Sequence, residues 1–242
     1  MICAPQRLHC HKAHHQAAKQ TPQQQLRLRH SCHTTTRTSS SSSSSSAVTS
    51  PRLQQVLDAI DTLNAQDPRT VSWQGQDLPY ELAYSQWLTE WVLQLQQQPS
   101  EELRIVARGQ HVQRWKTPRS SYPEGKAGYF QWREGLKASH AATVVEIMQA
   151  AGYDEASQQR VTRFILKKDL KKDPENQVVE DALCLVFMQH QFADLLTKEG
   201  PDKMVDIVRK TWAKMGEGGR AAALSLALPA DQAAVVQRAL SG

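Results

Sequence analysis

The chain has 242 residues, 29 Lys and Arg against 24 Asp and Glu, and a formal net charge of +5, which allows one sizeable domain or two small ones. The charge is lopsided: residues 1–50 hold six basic side chains and no acid, leaving 23 basic and 24 acidic in residues 51–242. The basic balance therefore gives no argument for nucleic-acid binding by the body, its lone thiol Cys184 excludes a disulfide framework or a Cys-rich zinc site, and no run of about 18 apolar residues calls for a membrane span.

Residues 1–50 read as a leader. They carry Arg7, Arg27, Arg29, Arg37 and the unbroken run Ser39–Ser46, a composition too poor in apolar surface to fold by itself. Basic, hydroxyl-rich and acid-free, it matches an organelle transit peptide rather than a secretory signal. The hydroxyl content points to the chloroplast, with the mitochondrion as the alternative. A disordered His/Gln/Ser tail with metal-binding potential at His11, His14 and His15 is the other reading.

From Pro51 the pattern turns helical. Leu53, Val56, Leu57, Ile60 and Leu63 recur at three and four, predicting an amphipathic helix that ends before Asp67-Pro68. TVSWQGQ follows as a polar stretch. Asp77 reads as an N-cap with Pro79 in the first turn of a helix to about Gln98. Glu81 projects onto the stripe of Leu88 and Val92, so it is either buried with a partner or frayed into solvent in the first turn. Ser100 caps a helix running to about Trp115, with His111 on the side of Leu103 and Ala107.

Residues 108–140 are the stretch around which the rest is arranged. They interleave Trp115, Tyr122, Tyr129, Phe130 and Trp132 with Arg108, Arg114, Lys116, Arg119, Lys126 and Arg133, across a Pro/Gly loop. A long helix from about Lys126 to Ala151 places His140 at the centre of the stripe Trp132, Leu136, Val144 and Ile147. There it is either a core histidine bonded to a carbonyl or a ligand.

Gly152 breaks that helix and Asp154 caps the next, with Lys167 and Lys168 flanking its apolar side. KKDLKKDPENQ reads as a solvated connector. Asp173-Pro174 starts a helix to about Lys198, on which Asp181 projects into the stripe of Val178, Leu185 and Phe192. Glu180 falls about 100° away and is expected at the surface. His190 lies off the stripe and takes no role. Further helices start at Pro201, occupy the Ala/Leu run to about Leu228, and follow Asp231. No β-alternating run with hairpin signals stands out. The body is expected to be a single all-α domain of about eight helices over 51–242.

Glu81, His111, His140 and Asp181 are thus expected to point inward from four helices. Imidazole and carboxylate are ligands for Fe, Mn, Zn or Mg, and helix bundles build metal sites from facing helices. A buried hydrogen-bond network that only fixes packing is the alternative. Phosphate loops, dinucleotide fingerprints and nucleophile elbows are absent, and a thiol in an apolar helical run is inert. Arg114, Arg119, Arg133 and Lys168 are the candidates for gripping phosphate.

The blocks RGQHVQRWKTPRSSYPEGKAGYFQWREGLKASHA, GYDE, ILKKDLKKDPE, VEDALCLVF and IVRKTWAKM, in this order, closely resemble the family called domain of unknown function 4202, over essentially residues 51–240. More distantly, the layout resembles the HD metal-dependent phosphohydrolase superfamily. That resemblance implies an HD-like bundle with His111, His140 and Asp181 as metal ligands and Glu81 near the first ligand. No His is followed by Asp, so one metal rather than two is implied. The expected function is a metal-dependent enzyme, with a divalent metal ion as cofactor, acting on a phosphorylated or nucleotide-like small molecule. The alternative is a non-catalytic helical module that binds RNA or protein through the basic aromatic segment 108–133.

Overall fold

The protein is described from a computed structural model over residues 49–168 and 172–241; the leader reading, but for its last two residues, and part of the charged connector lie outside the described residues. The expectation of an all-α domain holds. Ten α-helices run in chain order among the described residues: α1 Pro51–Asn64, α2 Tyr80–Leu95, α3 Glu101–Gly109, α4 Gly125–Ala150, α5 Glu155–Ile165, α6 Pro174–Val186, α7 Phe192–Glu199, α8 Pro201–Trp212, α9 Glu217–Leu224 and α10 Ala230–Leu240. A π turn, Phe187–Gln191, joins α6 to α7. No helix among the described residues is long and apolar enough to cross a membrane.

The starts follow local chemistry. Ser50 caps α1 with Pro51 in the first turn, Ser100 caps α3, Asp154 caps α5, and Asp173 caps α6 ahead of Pro174. In each case the side-chain oxygen accepts from an amide with no intrahelical partner. The core follows from the stripes: Val56, Ile60, Leu88, Val92, Val106, Val144, Val161 and Leu185 are wholly buried. Each such side chain contributes about 1.5–3 kcal/mol of transfer free energy. α2 packs on α3 and α6, α4 on α5, and α8 on α10.

The structure corrects the sequence reading in three places. First, TVSWQGQ is not only a polar connection. Strands β1 Thr70–Trp73 and β2 Gln76–Pro79 pair antiparallel, with Val71 opposite Leu78. Gln74 and Gly75 both have positive φ, as a two-residue hairpin turn of the I′ kind requires. Gln in place of the usual Asn or Asp at the first position hid the signal. Second, β2 absorbs Asp77, so α2 begins at Tyr80 after Pro79 and stops at Leu95. Third, α3 ends at Gly109 rather than near Trp115, and Gln110 to Gln113 form a turn ahead of the 3-10 segment Arg114–Lys116.

Candidate functional site

The early end of α3 builds the site. A Cβ at Gly109 would lie 2.5 Å from Val144 of α4, so only glycine lets the end of α3 touch α4 this closely. Gln113 then takes a left-handed conformation, and its amide donates to Asn64 Oδ1 of α1 at 3.2 Å. The chain so turned brings His111 beside His140 of α4, ring centroids 6.1 Å apart. His111 stacks on Tyr84 of α2 at 4.2 Å and 20°.

Behind His111 lies a buried ion network. Arg69 Nη2 sits 2.7 Å from Asp67 Oδ2 and 2.7 Å from Glu81 Oε1. The Glu81 amide donates to Asp67 Oδ2. Burial works against the Arg69 charge, but the two carboxylates outweigh it and raise its pKa. One guanidinium thus serves two carboxylates whose side chains are wholly buried. Burial pushes the Glu81 carboxyl up to about 7, against the Arg114 and Arg69 cations. Its Oε2 lies 3.8 Å from His111 Nδ1, a spacing too long for a direct bond, and has no hydrogen-bond partner among the described residues.

The two imidazoles face a cavity of about 80 Å³. Its lining comes from α2 (Tyr84), the turn after α3 (Gln110, His111, Arg114), α4 (Arg133, Leu136, Lys137, His140), the end of α5 (Lys167), α6 (Glu180, Leu183, Cys184), the π turn (Phe187, Gln191) and the end of α8 (Thr211, Lys214). Five of these side chains are permanent cations and only Glu180 is acidic. Lys167 Nζ sits 2.5 Å from Glu180 Oε2, and Lys214 Nζ is 3.8 Å from Oε1. Burial pushes the Glu180 carboxyl up, but Lys167 and Lys214 outweigh it and hold it below the usual range.

Positive surroundings act on the histidines as well. Burial lowers the His111 pKa well below its ordinary value, and the Arg114 charge lowers it further. Burial with the Arg114 charge lowers His140 to about 3. Both rings are therefore neutral at physiological pH. Cys184 points at the cavity, but burial pushes its thiol up to about 12, in keeping with an inert cysteine.

The structure brings together Glu81, His111 and His140 with Arg114 and Arg133. Asp181 is buried and partnered, as its stripe position predicts, yet it serves a different place. Its Oδ1 accepts from the Gly216 amide and from Gln177 Nε2, both at 2.8 Å, at the start of α9. Glu180, expected at the surface, is only 7% exposed and faces the cavity; α6 is covered by α2 on one side and α9 on another, so a residue off its main stripe is still inside. Arg119 braces its own loop, donating to the Tyr122 and Gly125 carbonyls. Lys168 is exposed and lines no part of the cavity; its neighbour Lys167, at φ 56°, takes that place. Lys137, Lys214 and Gln110 carried no signal in the sequence, because each sits on a mixed polar stretch. His190 stacks on Trp87 at 4.0 Å.

These placements do not fit the metal site that the HD resemblance implies. Its closing carboxylate, Asp181, is held at α9, and Glu81 is bonded to Arg69. No group of three or more His, Cys, Asp and Glu side chains among the described residues is arranged to hold an ion. The five cations Arg114, Arg133, Lys137, Lys167 and Lys214 around the cavity oppose a dication there on electrostatic grounds. A family model, described as domain of unknown function (DUF4202), matches residues 54–236. No curated protein and no solved structure matches the chain.

Proposed function

The chain belongs to the DUF4202 family, and from that premise we propose that its bundle binds a small phosphorylated or nucleotide-like anion and carries out acid–base chemistry on it. The observation that carries this reading is one cavity lined by Arg114, Arg133, Lys137, Lys167 and Lys214, with a single carboxylate, and backed by two neutral imidazoles, His140 buried and His111 partly so. Cations at close quarters stabilise a phosphoryl group and the charge that develops on it. A bound anion also offsets the positive potential at His111 and His140. Their basicity then rises toward the operating pH, where an imidazole moves protons best. His140, with both nitrogens buried and without a partner, is the group placed to take a proton from a substrate hydroxyl or from water. Glu81, 3.8 Å behind His111, would steady that ring as it gains charge.

The binding-module alternative has less support. Trp132 is buried and donates to the Thr117 carbonyl, Arg114 lies over Trp132, and Arg133 lies over Tyr129. Those rings are spent within the domain rather than presented as a platform on which bases could stack.

Thermal unfolding tests the reading. Inorganic phosphate and nucleoside monophosphates should raise the melting temperature, since a ligand at 100 times its Kd stabilises by about 2.7 kcal/mol. Arg133→Gln with Lys214→Gln should abolish the rise. No shift with any phosphate in a folded protein overturns the proposal. A stoichiometric divalent ion that is lost in His140→Ala would replace it with the metal-dependent reaction.

A further inference from the structure

We infer that the ligand of this cavity is a phosphomonoester carrying a hydrogen-bond donor, a hydroxyl or an amine, close to its phosphate, and that Gln110 and His140 read that donor; the inference rests on the phosphorylated-ligand reading above.

The polar groups of the cavity are sorted by depth. Lysine side chains form its accessible part: Lys137, Lys167 and Lys214 are 18%, 22% and 39% exposed. Gln110 and His140, by contrast, are 4% and 3% exposed. Among the described residues, Gln110 Oε1 and both ring nitrogens of His140 are buried with no hydrogen-bond partner. A buried polar atom left unpaired costs about 1–3 kcal/mol, and folded proteins leave few of them. Both residues line the same cavity, and none of the three atoms is a cation that an anion alone could satisfy.

Gln110 Oε1 can only accept. His140 is neutral and so offers one donor and one acceptor. The Val112 backbone is the one neighbour that favours its charged form, as a carbonyl oxygen does when an N–H leans toward it, although no bond closes within hydrogen-bond geometry. With the N–H turned that way, the second nitrogen is left as an acceptor. The buried end of the cavity therefore presents two acceptors, and what fills it must donate.

Size and charge define the rest of the ligand. The cavity's volume of about 80 Å³ is several times the roughly 10–15 Å³ that a single water needs, room for a small ligand rather than a polymer. Five cations against one carboxylate favour a dianion over a monocarboxylate. Lys137 shares its charge with Glu134, which is itself 66% exposed and screened by solvent. Water can occupy the acceptors when the cavity is empty. A ligand group that reproduces those bonds gains affinity, and an apolar stem that displaces the water without replacing them loses it.

The test compares shapes that differ only in the donors. Isothermal titration of the full chain with glycerol 3-phosphate and with n-propyl phosphate, its counterpart lacking both hydroxyls, should show the first binding at least about tenfold tighter, the loss expected when a built acceptor goes unpaired. Gln110→Leu should cut that ratio severalfold while leaving propyl phosphate binding in place. Equal affinities of the two esters for the wild-type chain overturn the inference whether or not the variant folds. Failure of both esters and of inorganic phosphate to bind overturns the phosphorylated-ligand reading instead, so the two failures are told apart.

Discussion

Asp181 and Gly219 are built against each other: a Cβ at Gly219 would fall 2.5 Å from Asp181 Cγ and 2.8 Å from its Cβ. The carboxylate cannot swing aside without giving up the Gly216 amide that it caps. Gly219→Ala should therefore cost about 1–3 kcal/mol, the usual penalty of overpacking, and lower the melting temperature. Phosphate binding should survive, because this contact lies away from the cavity. A variant as stable as the wild type would show that α9 can shift freely on α6.

Arg69 is bonded to two carboxylates whose side chains are wholly buried, Asp67 and Glu81. Arg69→Met leaves both without that partner, and breaking such a network costs about 3–5 kcal/mol. Urea denaturation should show a lower midpoint, partly restored by adding Glu81→Gln. An unchanged midpoint would mean that water reaches both acids.

Acid should weaken the fold. His140 and His190 are lowered by burial from an ordinary 6.5 to about 3 and about 4, and His111 is lowered as well. The unfolded chain binds protons on these rings near pH 6.5, where the folded chain does not. Their stability contribution is thus full above pH 6.5 and is lost as pH falls toward 3. Glu81 acts in the opposite sense. Raised by burial from 4.5 to about 7, its contribution is full below pH 4.5 and lost as pH rises through 7. Burial raises Asp61 and Glu90 as well, so they side with Glu81. The three imidazoles, whose ordinary value of 6.5 opens the window, outweigh these carboxyls between pH 6.5 and 4.5, and the urea midpoint should fall with acid there. His140→Gln should flatten the profile and Glu81→Gln should steepen it. A midpoint that rises on acidification would reverse the assignment.

For the leader, a fluorescent protein carrying residues 1–50 should enter chloroplasts, with mitochondria as the other destination, because the segment is basic and acid-free. A uniform cytosolic signal counts against it. The remaining 51–242 fragment should keep its helical circular dichroism.

Periodicity and caps made most of the helices legible. Ser100, Asp154 and Asp173, read as caps from the sequence, stand at helix starts where their side chains meet free amides. The two histidines and both arginines of the cavity could also be picked out, since polar groups on or beside apolar stripes are conspicuous. What stayed hidden depends on tertiary contact. The end of α3 is set by Gly109 meeting Val144, a pairing of residues 35 apart that no local pattern encodes. Angle placed Asp181 inside correctly but put Glu180 at the surface, where the structure buries it; angle alone cannot tell which flank of α6 meets a cavity and which meets another helix. The hairpin was missed because Gln74 is an unusual residue for its left-handed turn.

The five-residue π turn between α6 and α7 has a consequence for how the two helices are seated. A π turn takes in one residue more than an α turn, so α7 differs in phase from an unbroken continuation of α6. α6 buries Val179, Ala182 and Leu185 and packs on α2 and α9, while α7 buries Phe192 and Leu195 and packs on α8 and α10. An unbroken α-helix would carry one angular setting along its whole length. Deleting a single residue within 187–191 would rotate α7 by about 100° relative to α6, turning Phe192 and Leu195 out of the core while Val179, Ala182 and Leu185 stayed in it. The extra residue lets the chain seat both helices in one core, with Phe187 and Gln191 of the π turn in the cavity wall.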